Sequence, residues 1–178
     1  EQYPTPAGVA AEVAFIAFNR GDLEGRRILD AGCGNGILAI AAKLMGAAEV
    51  VGVDVDPAAI AVAGRNAERA KVEAAWRCTD IAEVQGAFDT VLMNPPFGAQ
   101  RKHADLPFLE RAFSVARVVY SFHNAVTEPF LLRRIAAMGG EVTDRASYEF
   151  PLAPTFRFHR DTVRRIPVVL LRTVTAKD

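Results

Sequence analysis

The run Phe88-Asp89-Thr90-Val91-Leu92-Met93 is followed at once by Asn94-Pro95-Pro96-Phe97. The apolar run reads as a buried strand. Proline has no N–H to give to a hydrogen-bond ladder, so the strand has to end at the first proline. That leaves a polar amide, Asn94, at the carboxyl end of a core strand, with two stiff residues and an aromatic ring behind it. Packing alone gives little reason to place such a set there. In open α/β sheets, ligands bind at the carboxyl ends of the strands.

Strand and helix patterns alternate through most of the chain. Thr5 reads as an N-cap with Pro6 at the first helical position. The helix they open has an apolar face of Val9, Val13, Phe15, Ile16 and Phe18 and ends near Gly21. Strands are expected at 28–31, 50–55, 74–78, 88–93 and 117–122, interleaved with helices at 37–45, 57–70 and 107–113. A helix at 129–138 stops at Gly139-Gly140, and two strands follow at 141–150 and 166–174. Such β-α units specify a doubly wound, mostly parallel α/β sheet of seven strands with helices on both faces. The seventh strand has no helix before it, so it is expected to run antiparallel in a terminal hairpin. With 178 residues, 51% of them hydrophobic, one domain over 1–178 is expected, with 1–21 as its N-terminal segment and helix.

Composition narrows the function classes. No apolar stretch reaches the ~18 residues a membrane span needs. No charged-apolar-small signal pattern opens the chain, and a cytoplasmic location is expected. Cys33 and Cys78 are too few for a disulfide framework or a zinc quartet, so no metal site is expected. Net charge is zero, but residues 1–96 carry 8 Lys/Arg against 13 Asp/Glu, and residues 97–178 carry 13 against 8. The basic half suits a polyanion; uneven scatter over solvated faces is the duller alternative.

Three features point to a ligand. Asp30-Ala31-Gly32-Cys33-Gly34-Asn35-Gly36 joins the first strand to an Ala/Leu-rich helix. Its glycines permit positive φ and close approach of a ligand to the backbone, and the helix behind them offers unpaired N–H groups. The spacing is Gly-x-Gly-x-Gly, not that of dinucleotide enzymes. An acid at Asp30 repels a pyrophosphate but suits an ammonium group. Asp54, at the tip of the second strand, is placed to bond both hydroxyls of a ribose, while Asp56 before Pro57 reads as a helix cap. Asp80, after the third strand, can receive the exocyclic amine of an adenine. Together these describe a pocket for an adenosine bearing an amino acid, and S-adenosylmethionine fits. The fourth-strand motif is then the reaction centre. The Asn94 side-chain oxygen and the Pro95 carbonyl can each accept one hydrogen of a conjugated NH₂, and Phe97 can stack on its ring.

Asp30–Gly36, Gly52–Pro57 and Asn94–Gly98 resemble motifs of the class I S-adenosylmethionine-dependent methyltransferases, the last being the signature of those that act on amino groups. More narrowly, Glu1-Gln2-Tyr3-Pro4-Thr5, Asn94-Pro95-Pro96-Phe97-Gly98, Val119-Tyr120-Ser121-Phe122-His123 and Phe156-Arg157-Phe158-His159 resemble the methyltransferase-like protein 5 family with its archaeal relatives. The resemblance covers nearly the whole chain. It implies a Rossmann-like domain that methylates an adenine at N6 in small-subunit ribosomal RNA. It also implies cofactor contacts at Gln2, Thr5, Gly32, Asn35, Ile37, Asp54, Asp80 and Ile81, with Gly34 and Gly36 in the same turn, and catalysis at Asn94, Pro95, Pro96 and Phe97. It further implies a small zinc-binding activator protein as partner, docked on the sheet edge. Asn35 stands where the eukaryotic family member has a cysteine, a small departure if backbone contacts dominate.

Candidate RNA contacts are Tyr3, Arg101, Lys102, His103, His123, Arg157, His159 and Arg160. Two of these, Arg157 and His159, interleave with Phe156 and Phe158, a charge-plus-stacking pattern; a strand with alternating faces, phenylalanines in and charges out, is the duller alternative. The same chemistry on guanine N2, cytosine N4, DNA adenine or a protein glutamine amide is the alternative. A cofactor-binding module for ribosome assembly is the non-enzyme reading.

Overall fold

A computed structural model describes residues 3–97, 104–151 and 165–177. The strands are β1 (Arg27–Ala31), β2 (Glu49–Asp54), β3 (Ala75–Cys78), β4 (Phe88–Met93), β5 (Ala116–Asn124), β6 (Glu141–Pro151) and β7 (Arg165–Val174). The helices are α1 (Ala7–Asn19), α2 (Ile37–Leu44), α3 (Pro57–Ala70), α4 (Leu106–Val115) and α5 (Glu128–Ala137). The strands form one sheet in the order β3-β2-β1-β4-β5-β7-β6. Pairings from β3 through β5 are parallel, and β7 is antiparallel to both β5 and β6. The expected class, a mostly parallel seven-stranded sheet with an antiparallel last strand, is the one observed. Chain order reverses between β1 and β4. The crevice at their carboxyl ends is where such sheets hold ligands.

In the central strands side chains alternate across the sheet and are buried on both faces. Ile28 and Leu92 join α1 and α2 in one apolar layer, while Leu29, Val91 and Met93 join α4 and α5 in the other. The central strands therefore read as continuous apolar runs. Local chemistry sets the helix ends. Asp56 accepts from Ala58 N at 2.8 Å and caps α3, with Pro57 at its first position. Gly36 caps α2 at φ 80°, and a Cβ there would stand 2.7 Å from the Trp76 ring. Asp22, where the chain leaves α1, accepts from Tyr120 Oη at 2.6 Å and Arg172 Nε at 2.8 Å, tying that exit to β5 and β7.

The first helix differs from expectation in two ways. Pro6, not Thr5, is its N-cap, and Ala10 N donates to the Pro6 carbonyl. Thr5 stays outside the helix because its hydroxyl is engaged by Asn94. The buried face is Ala10, Val13, Ala14 and Ala17, whereas Phe15 is 59% exposed. Small residues on that face let α1 pack close against α2, and Phe15 and Phe18 are left exposed. Among the described residues, no helix is long and apolar enough to cross a membrane.

Candidate active site

β1 and α2 meet at the glycine turn. Gly32, Gly34 and Gly36 have φ of 69°, 52° and 80°, the left-handed region where a side chain is strained. Cys33 N donates to the Val53 carbonyl, which fixes the turn against β2. Gly34 N donates to Asp54 Oδ2 at 2.9 Å, and Asp56 N donates to Asp54 Oδ1 at 3.0 Å. Each carboxylate oxygen therefore holds one backbone donor and keeps a lone pair for a ligand. Asn35 lends its side-chain oxygen to Ile37 N, and its carbonyl accepts from Asn66.

Asp30 lies beneath the turn and is 1% exposed. Its Oδ2 accepts from Ala39 N at 2.9 Å, and its buried Oδ1 has no partner among the described residues. Burial pushes its pKa up to about 7 against the bond from Ala39, with help from the charge of Asp54. Burial and the same two acids also push the Cys33 thiol up, so Cys33 is a neutral wall rather than a nucleophile.

Asn94, Pro95 and Pro96 face the same space. Asn94 Nδ2 donates to the Tyr3 carbonyl at 2.7 Å and to Thr5 Oγ1 at 3.0 Å. A carbonyl only accepts, so this contact fixes which end of the amide is nitrogen. Asn94 Oδ1 is buried and accepts no hydrogen bond among the described residues. Unpaired buried acceptors are uncommon and mark sites built for something else. A cavity of about 540 Å³ joins Tyr3, Thr5, Asp30, the glycine turn, Asp54, Ile81 and Asn94-Pro95-Pro96. That size holds a small organic ligand.

Several expected site residues sit elsewhere. Phe97 is 7% exposed and packs in the core, stacked on Tyr3 with centroids 5.4 Å apart at 13°. Tyr3 occupies the face that was expected to receive a substrate ring, so the Phe97 ring is not a cavity wall. Tyr3 itself lines the cavity. His123 is not an exposed RNA contact. It lies within β5, 0% exposed, with its ring nitrogens bonded to Asp105 and Ser121. Asp80 is exposed and caps the short 3-10 turn Ile81–Glu83 through Ala82 N, while its neighbours Thr79 and Ile81 line the cavity. Gln2, Arg101, Lys102, His103, Arg157, His159 and Arg160 lie outside the described residues. The sequence reading missed Phe108, which lines the cavity from the first turn of α4. Only the neighbouring helix start at Pro107 hinted at it.

A family model described as ribosomal protein L11 methyltransferase (PrmA) matches residues 11–95. The rRNA N(6)-adenosine-methyltransferase Mettl5 of Drosophila melanogaster is 34% identical over 94% of this chain and 83% of its own length. The chain belongs to the METTL5 methyltransferase family. It is therefore an enzyme that takes its methyl group from S-adenosylmethionine. A crystal structure of a candidate RNA methyltransferase from Pyrococcus horikoshii superposes with a TM-score of 0.90 at 40% identity, covering 98% of this chain and 87% of that one. Magnesium protoporphyrin IX methyltransferase of Synechocystis PCC 6803, crystallised with bound cofactor, shares the fold at 18% identity, with a TM-score of 0.76 and coverage of 96% and 79%.

Proposed function

We propose that the chain methylates the N6 amine of an unpaired or flipped adenine in small-subunit ribosomal RNA. The observation that carries this reading is Asn94, which lines the cavity and whose Oδ1 has no partner among the described residues. The cavity suits the cofactor on its own features. Asp30 Oδ1, a buried acceptor with no partner among the described residues, suits an ammonium, the glycine turn gives close backbone approach, and Asp54 keeps lone pairs for ribose hydroxyls. Bound S-adenosylmethionine supplies an electrophilic methyl group. Asn94 Oδ1 and the Pro95 carbonyl accept the two hydrogens of the substrate NH₂ and turn its lone pair outward. Both bonds strengthen as positive charge grows on nitrogen, so they act mainly in the transition state. Pro95-Pro96 hold the acceptors stiff, which favours in-line reaction. The alkylated nitrogen sheds its proton readily, so no strong base is required.

A base inside a duplex cannot reach this crevice and has to leave the stack. The RNA is held, on this reading, by Arg101, Lys102, His103, Arg157, His159 and Arg160, in the cytoplasm, with a small zinc-binding activator on the sheet edge. The relatives named for rRNA N6-adenosine methylation support the substrate class. The test is transfer from methyl-labelled cofactor to ribosomal RNA, followed by nucleoside mass analysis. Label in N6-methyladenosine of the small-subunit RNA is expected. Label only in guanosine, cytidine or protein contradicts the proposal.

The segment before α1 serves as a positioning strap on the same reading. Thr5 Oγ1 is one of two acceptors that hold the Asn94 amide. Thr5→Val is expected to lower the turnover rate about 3–10-fold, the loss of one ordinary hydrogen bond. Single-turnover methylation checks this.

Asp30 gives a pH dependence. Below about pH 7 the carboxyl in the ligand-free site carries a proton, and pairing with an ammonium requires that proton to leave. Affinity for S-adenosylhomocysteine is expected to rise about tenfold from pH 6 to pH 8 and to flatten above. Asp54 and Cys33 are the other titratable groups beside Asp30, and Asp30→Asn is expected to abolish the slope in a calorimetric titration.

A further inference from the structure

Ser121, His123 and Asp105 form a buried polar chain on the side of β4 away from β1. His123 Nδ1 lies 2.8 Å from Asp105 Oδ2, and Nε2 lies 2.8 Å from Ser121 Oγ. Ser121 and His123 are 0% exposed and Asp105 is 6% exposed. The order of groups resembles a hydrolase triad, but no substrate reaches a serine with no accessible surface. A carboxylate only accepts, so Nδ1 carries its hydrogen toward Asp105, and Nε2 shares a hydrogen bond with the Ser121 hydroxyl, so both ring nitrogens are held in place.

The chain is well placed to act on the site. Asp105 is the N-cap residue of α4, yet its side chain makes no capping bond to the helix. Aspartate at that position ordinarily bonds the first-turn N–H groups. Here the carboxylate turns sideways to His123. Three residues on, Phe108 lines the cavity, and its ring stands 3.0 Å from where a Cβ on Gly32 would be. At the other end, Ser121 pairs with Met93, the residue before Asn94.

We propose that Asp105, His123 and Ser121 are positioning residues that clamp the start of α4 to β5, and that Phe108, seated by this clamp against the glycine turn, is a cofactor-binding residue. The clamp acts on the cofactor through Phe108. Its test needs no RNA, so it stands or falls separately from the substrate assignment.

Binding of S-adenosylhomocysteine to the full chain is measured by calorimetry for a double-mutant cycle, with circular dichroism confirming that each variant is folded. Phe108→Ala is expected to weaken binding about tenfold, the scale of a lost aromatic stack. Asp105→Ala is expected to weaken it about fivefold, and Asp105→Asn, which keeps an acceptor for Nδ1–H, to restore most of that. In the Phe108→Ala background, Asp105→Ala is expected to add less than about twofold, because residues acting in series are not additive. Ser121→Ala removes the far end of the chain with a smaller change in the core, and serves if Asp105→Ala does not fold. It is expected to give a smaller loss that also disappears in the Phe108→Ala background. Unchanged affinity in folded clamp variants overturns the proposal. So do clamp and Phe108 losses that multiply independently.

Discussion

Asn94→Ala is expected to lower methyl transfer about 10²–10³-fold while the cofactor dissociation constant shifts less than about threefold. The magnitude is that of removing one preorganised hydrogen-bonding group from a site where charge develops. The reason is geometric. Both amide hydrogens of Asn94 are held by the N-terminal segment, one by the Tyr3 carbonyl and one by Thr5. Among the described residues the oxygen is left without a partner, so its accepting capacity is free for a substrate amine. Because its bond to the substrate matters mainly in the transition state, kcat and kcat/KM are expected to fall together. Asn94→Asp is expected to be no better, since a carboxylate has no hydrogen for the Tyr3 carbonyl and repels it. Pre-steady-state transfer and cofactor titration on the same preparations check both values.

Asp54→Ala is expected to weaken cofactor binding about 10²-fold or more. Bonds from neutral donors to a carboxylate contribute about 1.5–3 kcal/mol each, and a ribose offers two hydroxyls. The substitution also releases Gly34 N, whose bond to Asp54 holds the middle of the glycine turn. Asp56→Ala is the control. Asp56 stands two residues away but caps α3. Its loss is expected to lower stability by about 1 kcal/mol and leave affinity nearly unchanged. Calorimetry and thermal melts separate the two effects.

The sheet was legible because its signals are local and strong. Pro95-Pro96 ends β4, the glycine spacing forces a turn after β1, and Asp56-Pro57 starts α3 within a four-residue window. The antiparallel β7 followed from the lack of a helix before it. What escaped the sequence depends on which element covers which. Apolar spacing in α1 suggested a face of Val9, Val13, Phe15, Ile16 and Phe18, but of these only Val13 is fully buried, together with Ala10, Ala14 and Ala17, while Phe15 and Phe18 are exposed. His123 looked like a strand-tip residue because β5 runs two residues further than its apolar run, to Asn124. Phe97 looked available to a substrate because no spacing reveals that Tyr3, far away in sequence, stacks on it. The same long-range contact orients Asn94. The ligand acids at Asp30 and Asp54 were visible as strand-end acids, while the burial that raises Asp30 is visible only in the fold.

The most direct measurement is a crystal structure of the protein with S-adenosylhomocysteine and an adenosine-containing RNA fragment. The expected result is a substrate N6 within about 2.7–3.2 Å of both Asn94 Oδ1 and the Pro95 carbonyl, with its lone pair aimed at the cofactor sulfur. An adenine seated in the crevice whose N6 touches neither oxygen, or an Asn94 side chain turned away from the bound base, contradicts it.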